Sequence, residues 1–292
     1  MIDPFLDRLI DLAFEEDLAT NGDVTTRATV ARTTRAVGTV RAKEDLTLAG
    51  VDVFARVFER LDPTVELKVL HRDGETVSKG TEVITATGLA HSLLVGERPA
   101  LNFIMRLSGI ATLTKTMARA VDGTSCRVVD TRKTTPGWRS IEKAAVRAGG
   151  GGNHRTGLFD GVLIKDNHIE AAGGIANAVK GARANAHHLL KIEVECATLA
   201  HVDECLALGV DGMLLDNMDN ALLTASVKKV REHPSQQNVG RGARIFLEAS
   251  GNMTLERLPA VAATGVDLIS MGALTHQAKS VDLSMKLKLL QA

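Results

Sequence analysis

The sequence predicts an α/β protein: a small α+β domain followed by a parallel, barrel-like array of βα units. Three observations carry this. The first third mixes amphipathic helices with short strands and turns. Beyond it, short apolar runs recur (RVVDTRK, GVLIKDN, LKIEVEC, GMLLDN, RIFLEASG and DLISMGA), separated by helix-like and loop sequence. Each run ends in polar residues, as barrel strands do where they build a site.

Asp3 and Pro4 suit a helix N-cap and first position, and Phe5, Leu6, Leu9, Ile10, Ala13 and Phe14 share one helical face. That helix is expected to end near Asn21-Gly22. Thr39 to Ala49 reads as extended, and Val53, Phe54, Val57, Phe58 and Leu61 mark a second amphipathic helix. Val65 to Leu70 alternates as a strand does, Asp73-Gly74 is a turn, and TVSKGTEVITATG holds further turns and short strands. This glycine-turn pattern is faintly like that of biotinyl or lipoyl carriers, with Lys79 at the attachment position; a structural lysine beside a turn is the favoured reading. From Glu97 to Val121 the pattern is helical, with Pro99 in the first turn and Leu101, Ile104 and Met105 on the buried side. The βα rhythm follows, with polar strand ends at Asp130 to Lys133, Lys165 to Asn167, Glu195, Asp216-Asn217, Glu248 to Ser250, and Gly272. An open doubly wound sheet also binds ligands at its strand ends. Polar clusters after nearly every strand fit a ring better than a single crevice. About six clear strands, not eight, point to a barrel that is incomplete or only partly legible.

Composition excludes several classes. The 292 residues carry 35 Lys plus Arg and 35 Asp plus Glu, so any basic site must come from local clustering. Aromatics make up 3%, with one Trp and no Tyr, which argues against a base-stacking surface for nucleic acid. Cys126, Cys196 and Cys205 have no CxxC spacing, and their odd number suggests reduced thiols. MIDPFLDRLIDLAFEEDL is acidic where a targeting segment is basic, and no apolar run approaches the ~18 residues of a membrane span. The expectation is a cytoplasmic protein, with neither nucleic acid nor membrane as partner.

Basic residues crowd residues 130–168: Arg132, Lys133, Arg139, Lys143, Arg147, His154, Arg155, Lys165 and His168. Singly, each is more often a solvated charge; together, at strand ends, they suggest a pocket for a small polyanion, with arginine forks for carboxylates or phosphates. Gly149 to Gly152 interrupts them, and a glycine run lets backbone N–H groups approach an anion. In KIEVEC, Lys191, Glu193 and Glu195 share one strand face, either as an internal salt-bridge layer or facing a solvated cavity. Glu195 and Asp216 close successive strands and could bind Mg²⁺, directly or through its waters, or stabilise developing positive charge. Ser250-Gly251-Asn252 precedes a helix that Thr254 could cap, a weak phosphate signal that an ordinary turn explains as well. SMGALTH, with Gly272 and His276, repeats the strand-then-glycine layout.

ERPALNFIMRLSGIATLT, DTRKTTPG, GGGGNHR, LIKDNHI, IEVEC, LLDNM, LEASGN and SMGALTH, in that order, closely resemble segments of bacterial-type quinolinate phosphoribosyltransferases, and EEDLATNGDVTT resembles that family's opening. The resemblance covers nearly the whole chain. DTRKTTPG followed by GGxNHR and LIKDNH is its most specific part. It implies an N-terminal α/β sandwich domain followed by an open seven-stranded α/β barrel. The expected boundaries are 1–105 for the sandwich and 106–276 for the barrel, with a C-terminal helix over 277–292 returning to the first domain. It implies at least a homodimer, with hexamers left open, in which Arg98 completes the neighbouring subunit's site. By the same carry-over, Arg132, Lys133, His154, Arg155 and Lys165 hold the two carboxylates of quinolinate, and Thr131 shapes the pocket. Glu195 and Asp216 face the ribose of phosphoribosyl pyrophosphate and its Mg²⁺, while Ser250, Gly251, Asn252, Met271, Gly272, Ala273 and His276 line the phosphate side. Lys133, Lys165, Glu195 and Asp216 are the catalytic candidates. Two departures stand out: EHPSQQNVGRGA is longer than the family's usual stretch, and Trp138 replaces a commonly aliphatic residue.

The implied reaction is phosphoribosyl transfer to the quinolinate nitrogen with loss of CO₂, giving nicotinate mononucleotide in de novo NAD synthesis. Its rivals are an aldolase with Lys165 as Schiff-base lysine, a binder that has lost turnover, and a sister enzyme acting on a related acid such as nicotinate.

Overall fold

The protein is described by a computed structural model covering residues 4–237 and 244–290. The expected Asp3 cap, residues 238–243 of the long EHPSQQNVGRGA stretch and residues 291–292 of the expected tail helix lie outside the described residues. In chain order the elements are α1 (Pro4–Leu18), α2 (Val24–Thr29), β1 (Arg35–Ala42), β2 (Leu46–Thr47), α3 (Val51–Leu61), β3 (Glu66–Val69), β4 (Thr76–Val77), β5 (Glu82–Leu89) and α4 (Ala90–Arg119). There follow β6 (Arg127–Val129), α5 (Arg139–Ala148), β7 (Val162–Ile164), α6 (Asp166–Ala172), α7 (Ile175–Asn185), β8 (Ile192–Cys196), α8 (Leu199–Leu208), β9 (Gly212–Asp216) and α9 (Asn220–Glu232). Last come β10 (Phe246–Ser250), α10 (Leu258–Ala263), β11 (Leu268–Ser270), α11 (Ala273–His276) and β12 (Leu283–Leu289).

Two compact units emerge. The first comprises the chain to Lys115, Thr134–Gly150 and the segment from Ala273; the second comprises Thr116–Lys133 and Gly151–Gly272. This division departs from boundaries at 105 and 276, because 134–150 returns to the first unit. Glu142, fully buried on α5, accepts from the Thr135 amide (3.1 Å) and hydroxyl (2.8 Å) and from Arg106 of α4 (3.3 Å). Trp138 stacks on Phe103 at 4.7 Å, which accounts for the aromatic residue there.

The first unit's main sheet runs β12-β1-β5-β3, antiparallel throughout. On β1, Ala36, Val40 and Ala42 are buried at alternate positions, the period of a half-buried strand. On α3, Val51, Phe54, Val57 and Phe58 form a buried stripe. Its first turn is capped from afar, since the Asp73 carboxylate accepts from the Gly50 and Val51 amides. Two expectations fail in this unit. The tail over 283–289 is a strand, not a helix. Leu283 and Met285 alternate inward, and the Met285 sulfur packs so close to β1 that a Cβ at Gly38 would lie 2.7 Å from it. The helix expected from Glu97 starts at Ala90, so Pro99 lies inside α4, where packing of fourteen buried positions outweighs one lost hydrogen bond.

The second unit is a parallel sheet ordered β6-β11-β10-β9-β8-β7. A parallel bridge joins Val129 to Gly152 beyond β6, so the seventh strand that the resemblance implies is reduced to one bridge among the described residues. Gly152 and β7 are neighbours in sequence yet unpaired in the sheet, which leaves the barrel open on that seam. Ile192, Val194, Cys196, Met213, Leu215, Leu247, Ala249 and Ile269, all buried, form the outward face beneath the helices.

Candidate active site

Because side chains alternate along a strand, the register fixes what points into the barrel. Glu193 pairs with Gly212, and Gly212 with Phe246. Glu195 lies beside Leu214, Leu214 beside Glu248, and Glu248 beside Leu268. Asp216 pairs with Ser250, and Ser250 with Ser270. By register the inward face therefore carries Glu193 and Phe246 nearest the amino ends, then Glu195, Leu214, Glu248 and Leu268, and Asp216, Ser250 and Ser270 at the carboxyl ends. Gly212 makes room for Phe246, whose ring would lie 2.1 Å from a Cβ there.

At the carboxyl ends, Lys165 Nζ lies 3.3 Å from Glu195 Oε2, the lysine side chain 48% exposed. An exposed lysine paired with a carboxylate lacks the desolvated setting that a Schiff-base lysine uses. Thr131, Arg132 and Lys133 follow β6, with the Thr131 hydroxyl accepting from the Lys133 amide. Half-buried Arg155 donates to the Gly161 carbonyl at 2.9 Å. Burial first, and then the like charge of Arg132, push the Arg155 pKa down. Two guanidinium groups held close enough to repel form a site that an anion would relieve.

A tight corner links Asp216 to the phosphate-side candidates. Asn217 (φ 52), Gly251 (φ 94) and Asn252 (φ 48) all adopt left-handed backbone. Asn217 donates to Asp216 Oδ2 at 2.6 Å and through its amide to the Ser250 carbonyl, while Asn252 donates to Asn217 Oδ1 at 3.3 Å. Arg257 clamps the Gly251 and Met218 carbonyls. The expected cap at Thr254 is absent, since α10 begins at Leu258 after a turn. Met271, buried after β11, donates its amide to the Val129 carbonyl, and Gly272 follows it. Arg98, Ala273 and His276 belong to the first unit, on α4 and α11.

The glycine run does not cradle an anion. The amides of Gly149, Gly150 and Gly152 are taken by the Ala145, Arg147 and Val128 carbonyls. Gly149 is needed instead for close approach to α4, where a Cβ would meet the Ala111 carbonyl at 2.5 Å.

Beneath the strand ends lies a polar cluster in the barrel interior, of which the sequence showed only the alternation of KIEVEC and the acid of LEASG. His154 Nε2 lies 3.3 Å from Glu193 and 3.5 Å from Glu248. Burial first, and then the Glu193 charge, push the Glu248 carboxyl up to about 7. The three ligand-type atoms lie within 4.8 Å of one another, a spacing that suits a metal. However, His154 Nδ1 accepts the Arg155 amide at 2.7 Å, which puts the ring proton on Nε2 and makes that nitrogen a donor, not a ligand. Glu195 and Asp216 offer hard carboxylate oxygens at the strand ends, the donor type that fits Mg²⁺. A cavity of about 190 Å³ borders the cluster, lined by His154, Arg155, Glu193 and Glu248 together with Lys191 and Phe246.

Comparison with known proteins gives a consistent result. Residues 23–108 match the family model for the quinolinate phosphoribosyl transferase N-terminal domain, and residues 110–286 that for its C-terminal domain. The chain is 46% identical over 246 residues to a probable nicotinate-nucleotide pyrophosphorylase [carboxylating] of Synechocystis sp., covering 84% of this chain and 81% of that one. It is 43% identical to the Bacillus subtilis protein of the same description, covering 97% and 94%. Among solved structures, NadC from Streptococcus pyogenes superposes with a TM-score of 0.91 at 38% identity, covering 100% of this chain and 99% of that one.

Proposed function

The chain belongs to the quinolinate phosphoribosyltransferase family, and from that premise we propose how its barrel mouth performs the family's reaction. The protein is a carboxylating nicotinate-nucleotide pyrophosphorylase of de novo NAD biosynthesis. It joins quinolinate to phosphoribosyl pyrophosphate and yields nicotinate mononucleotide, pyrophosphate and CO₂. What supports the site assignment is the Lys165–Glu195 ion pair at the carboxyl ends, together with the charge of Arg132 acting on Arg155.

On this reading Arg132, Lys133, Arg155 and Lys165, beside Thr131 and His154, hold the two carboxylates and aim the ring nitrogen at the ribosyl C1. Glu195 and Asp216 stabilise the positive charge that grows there as the bond to pyrophosphate breaks. Once the C1–N bond forms, the pyridinium nitrogen draws the electron pair released when the C2 carboxylate leaves as CO₂, and C2 then takes a proton. Glu195 and Asp216 would hold Mg²⁺, directly or through water, and the ion would supply neutralising charge for the leaving pyrophosphate. Ser250, Gly251, Asn252, Met271 and Gly272 line the phosphate side. Arg98 completes the site of a second subunit. Positioning and electrostatics supply most of the acceleration. The three cysteines, all buried and free, agree with a reducing cytoplasm, and no described helix is long and apolar enough to cross a membrane.

Purified protein with Mg²⁺ and phosphoribosyl pyrophosphate is expected to release CO₂ from quinolinate and to make little nucleotide from nicotinate. Equal turnover of nicotinate would overturn the dicarboxylate reading. Lys133→Ala and Arg155→Ala are each expected to raise the quinolinate KM on the order of tenfold or more, since a lost charge-assisted hydrogen bond is worth roughly 1.5–3 kcal/mol.

A further inference from the structure

We propose that Glu193 and Glu248 are positioning residues for the quinolinate pocket, acting through the imidazole of His154. The inference rests on the function assigned above and adds two buried side chains to it. Both acids point inward, 5% and 1% exposed, with oxygens 3.3 and 3.5 Å from His154 Nε2. Glu193 Oε1 and both Glu248 oxygens receive no hydrogen bond from the described residues. Two acids facing one donor inside a barrel are costly to bury. The fold does not call for them, because their register neighbours are apolar: Gly212 and Phe246 beside Glu193, Leu214 and Leu268 beside Glu248. Apolar side chains at both positions would pack with less penalty.

Glu193 Oε2 is the acceptor that faces Nε2–H, Glu248 adds a second carboxylate beside it, and the ring's other nitrogen passes the constraint on. Nδ1 accepts the Arg155 amide at 2.7 Å. Fully buried Asp130 accepts the His154 amide at 2.9 Å and the Asn153 side chain at 2.6 Å. Residues 153–155 are thus tied at the backbone from one side by Asp130 and through the ring from the other by the acid pair. The side chain held this way is Arg155, set against the charge of Arg132. Without the inner anchor the ring is free to turn, the Arg155 amide loses its acceptor, and two repelling guanidinium groups drift apart. Groups that orient a substrate-binding residue commonly alter affinity by ten- to a hundredfold, roughly, when removed.

The test compares Glu248→Leu, Glu248→Gln, His154→Ala and the double variant Glu248→Leu/His154→Ala in the full-length enzyme. Fold is checked by circular dichroism and thermal unfolding, and both substrate KM values and kcat are measured. Glu248→Leu is expected to raise the quinolinate KM about tenfold and to move the phosphoribosyl pyrophosphate KM less than about twofold. Glu248→Gln keeps a polar oxygen facing Nε2–H, so it is expected to restore most of the loss. If the leucine variant does not fold, the glutamine variant still decides, because an unrestored quinolinate KM in folded protein contradicts the proposal. The double variant is expected to be no worse than His154→Ala alone, since both act along one line. Multiplicative losses, or equal losses for both substrates, would show a general packing role and overturn the inference. A wild-type enzyme inactive on quinolinate would instead sink the functional reading itself.

Discussion

A Cβ at Gly251 would stand 2.1 Å from Oδ1 of Asn217, and the backbone there sits at φ 94. Neither can be relieved without moving Asn217, which bonds Asp216. Gly251→Ala is therefore expected to raise the phosphoribosyl pyrophosphate KM on the order of tenfold while sparing quinolinate binding. Isothermal titration with each substrate separates the two; an equal effect on both would refute a local role. A second consequence at this scale concerns pH. Glu248 is held at about 7 in the native protein against an ordinary 4.5, so the folded state binds the proton more tightly than the unfolded one. The carboxyl costs nothing below about 4.5, its cost grows between there and 7, and it is constant above. Stability should fall across that window, by up to roughly 3 kcal/mol. Glu248→Gln is expected to raise the melting temperature at pH 8 more than at pH 5, and equal gains would contradict the assigned burial. Such residues mark the limit of reading sequence alone. The places of Lys165, Glu195 and Asp216 at strand ends are legible, because the apolar runs stop there. The pairing of Glu193 with Glu248 joins strands 55 positions apart, and nothing local encodes it.

Elements show a different balance of legibility. Amphipathic α3 and the alternating β8 followed from period alone, because each buries one face. Strand β12 did not, although Leu283, Met285, Leu287 and Leu289 alternate with Ser284, Lys286 and Lys288. The family's helical tail overrode a two-residue period that was plain in the residues. In α4, Pro99 drew the predicted helix start seven residues too late, since proline suits a first turn and only tertiary packing reveals it as interior. The glycines of two helices make this packing testable. A Cβ at Gly109 of α4 would lie 2.0 Å from the Lys279 carbonyl, whereas one at Gly181 of α7 meets nothing within 4 Å. Gly109→Ala is expected to destabilise by roughly 1–3 kcal/mol, and Gly181→Ala to stabilise by about 0.5–1 kcal/mol through the helix preference of alanine. Thermal or urea unfolding compares the two, and the same sign for both would contradict the packing described.

At the scale of the whole molecule, the parallel barrel class is readable from repeated apolar runs with polar ends, while the order of its strands and the division into units are not. The motif DTRKTTPG belongs to both units, with Lys133 in the second and Thr134 in the first. A boundary drawn once along the chain cannot express a segment that leaves and returns. The same scale holds the shared-site proposal. Arg98 is exposed on α4 in the first unit, whereas Lys133 belongs to the barrel unit. If Arg98 serves a neighbour, Arg98→Ala and Lys133→Ala homodimers each have two defective sites, but a mixed dimer has one intact site. It joins the barrel of the Arg98→Ala subunit to the arginine of the Lys133→Ala subunit. Random exchange makes half the dimers mixed, each with one working site of two, so activity should return to about a quarter of wild type. The measurement is turnover before and after mixing under mild dissociation, with each variant alone as control. Recovery requires that the two residues act across a subunit boundary. Two residues serving one subunit's own site would leave the mixture as inactive as its parts.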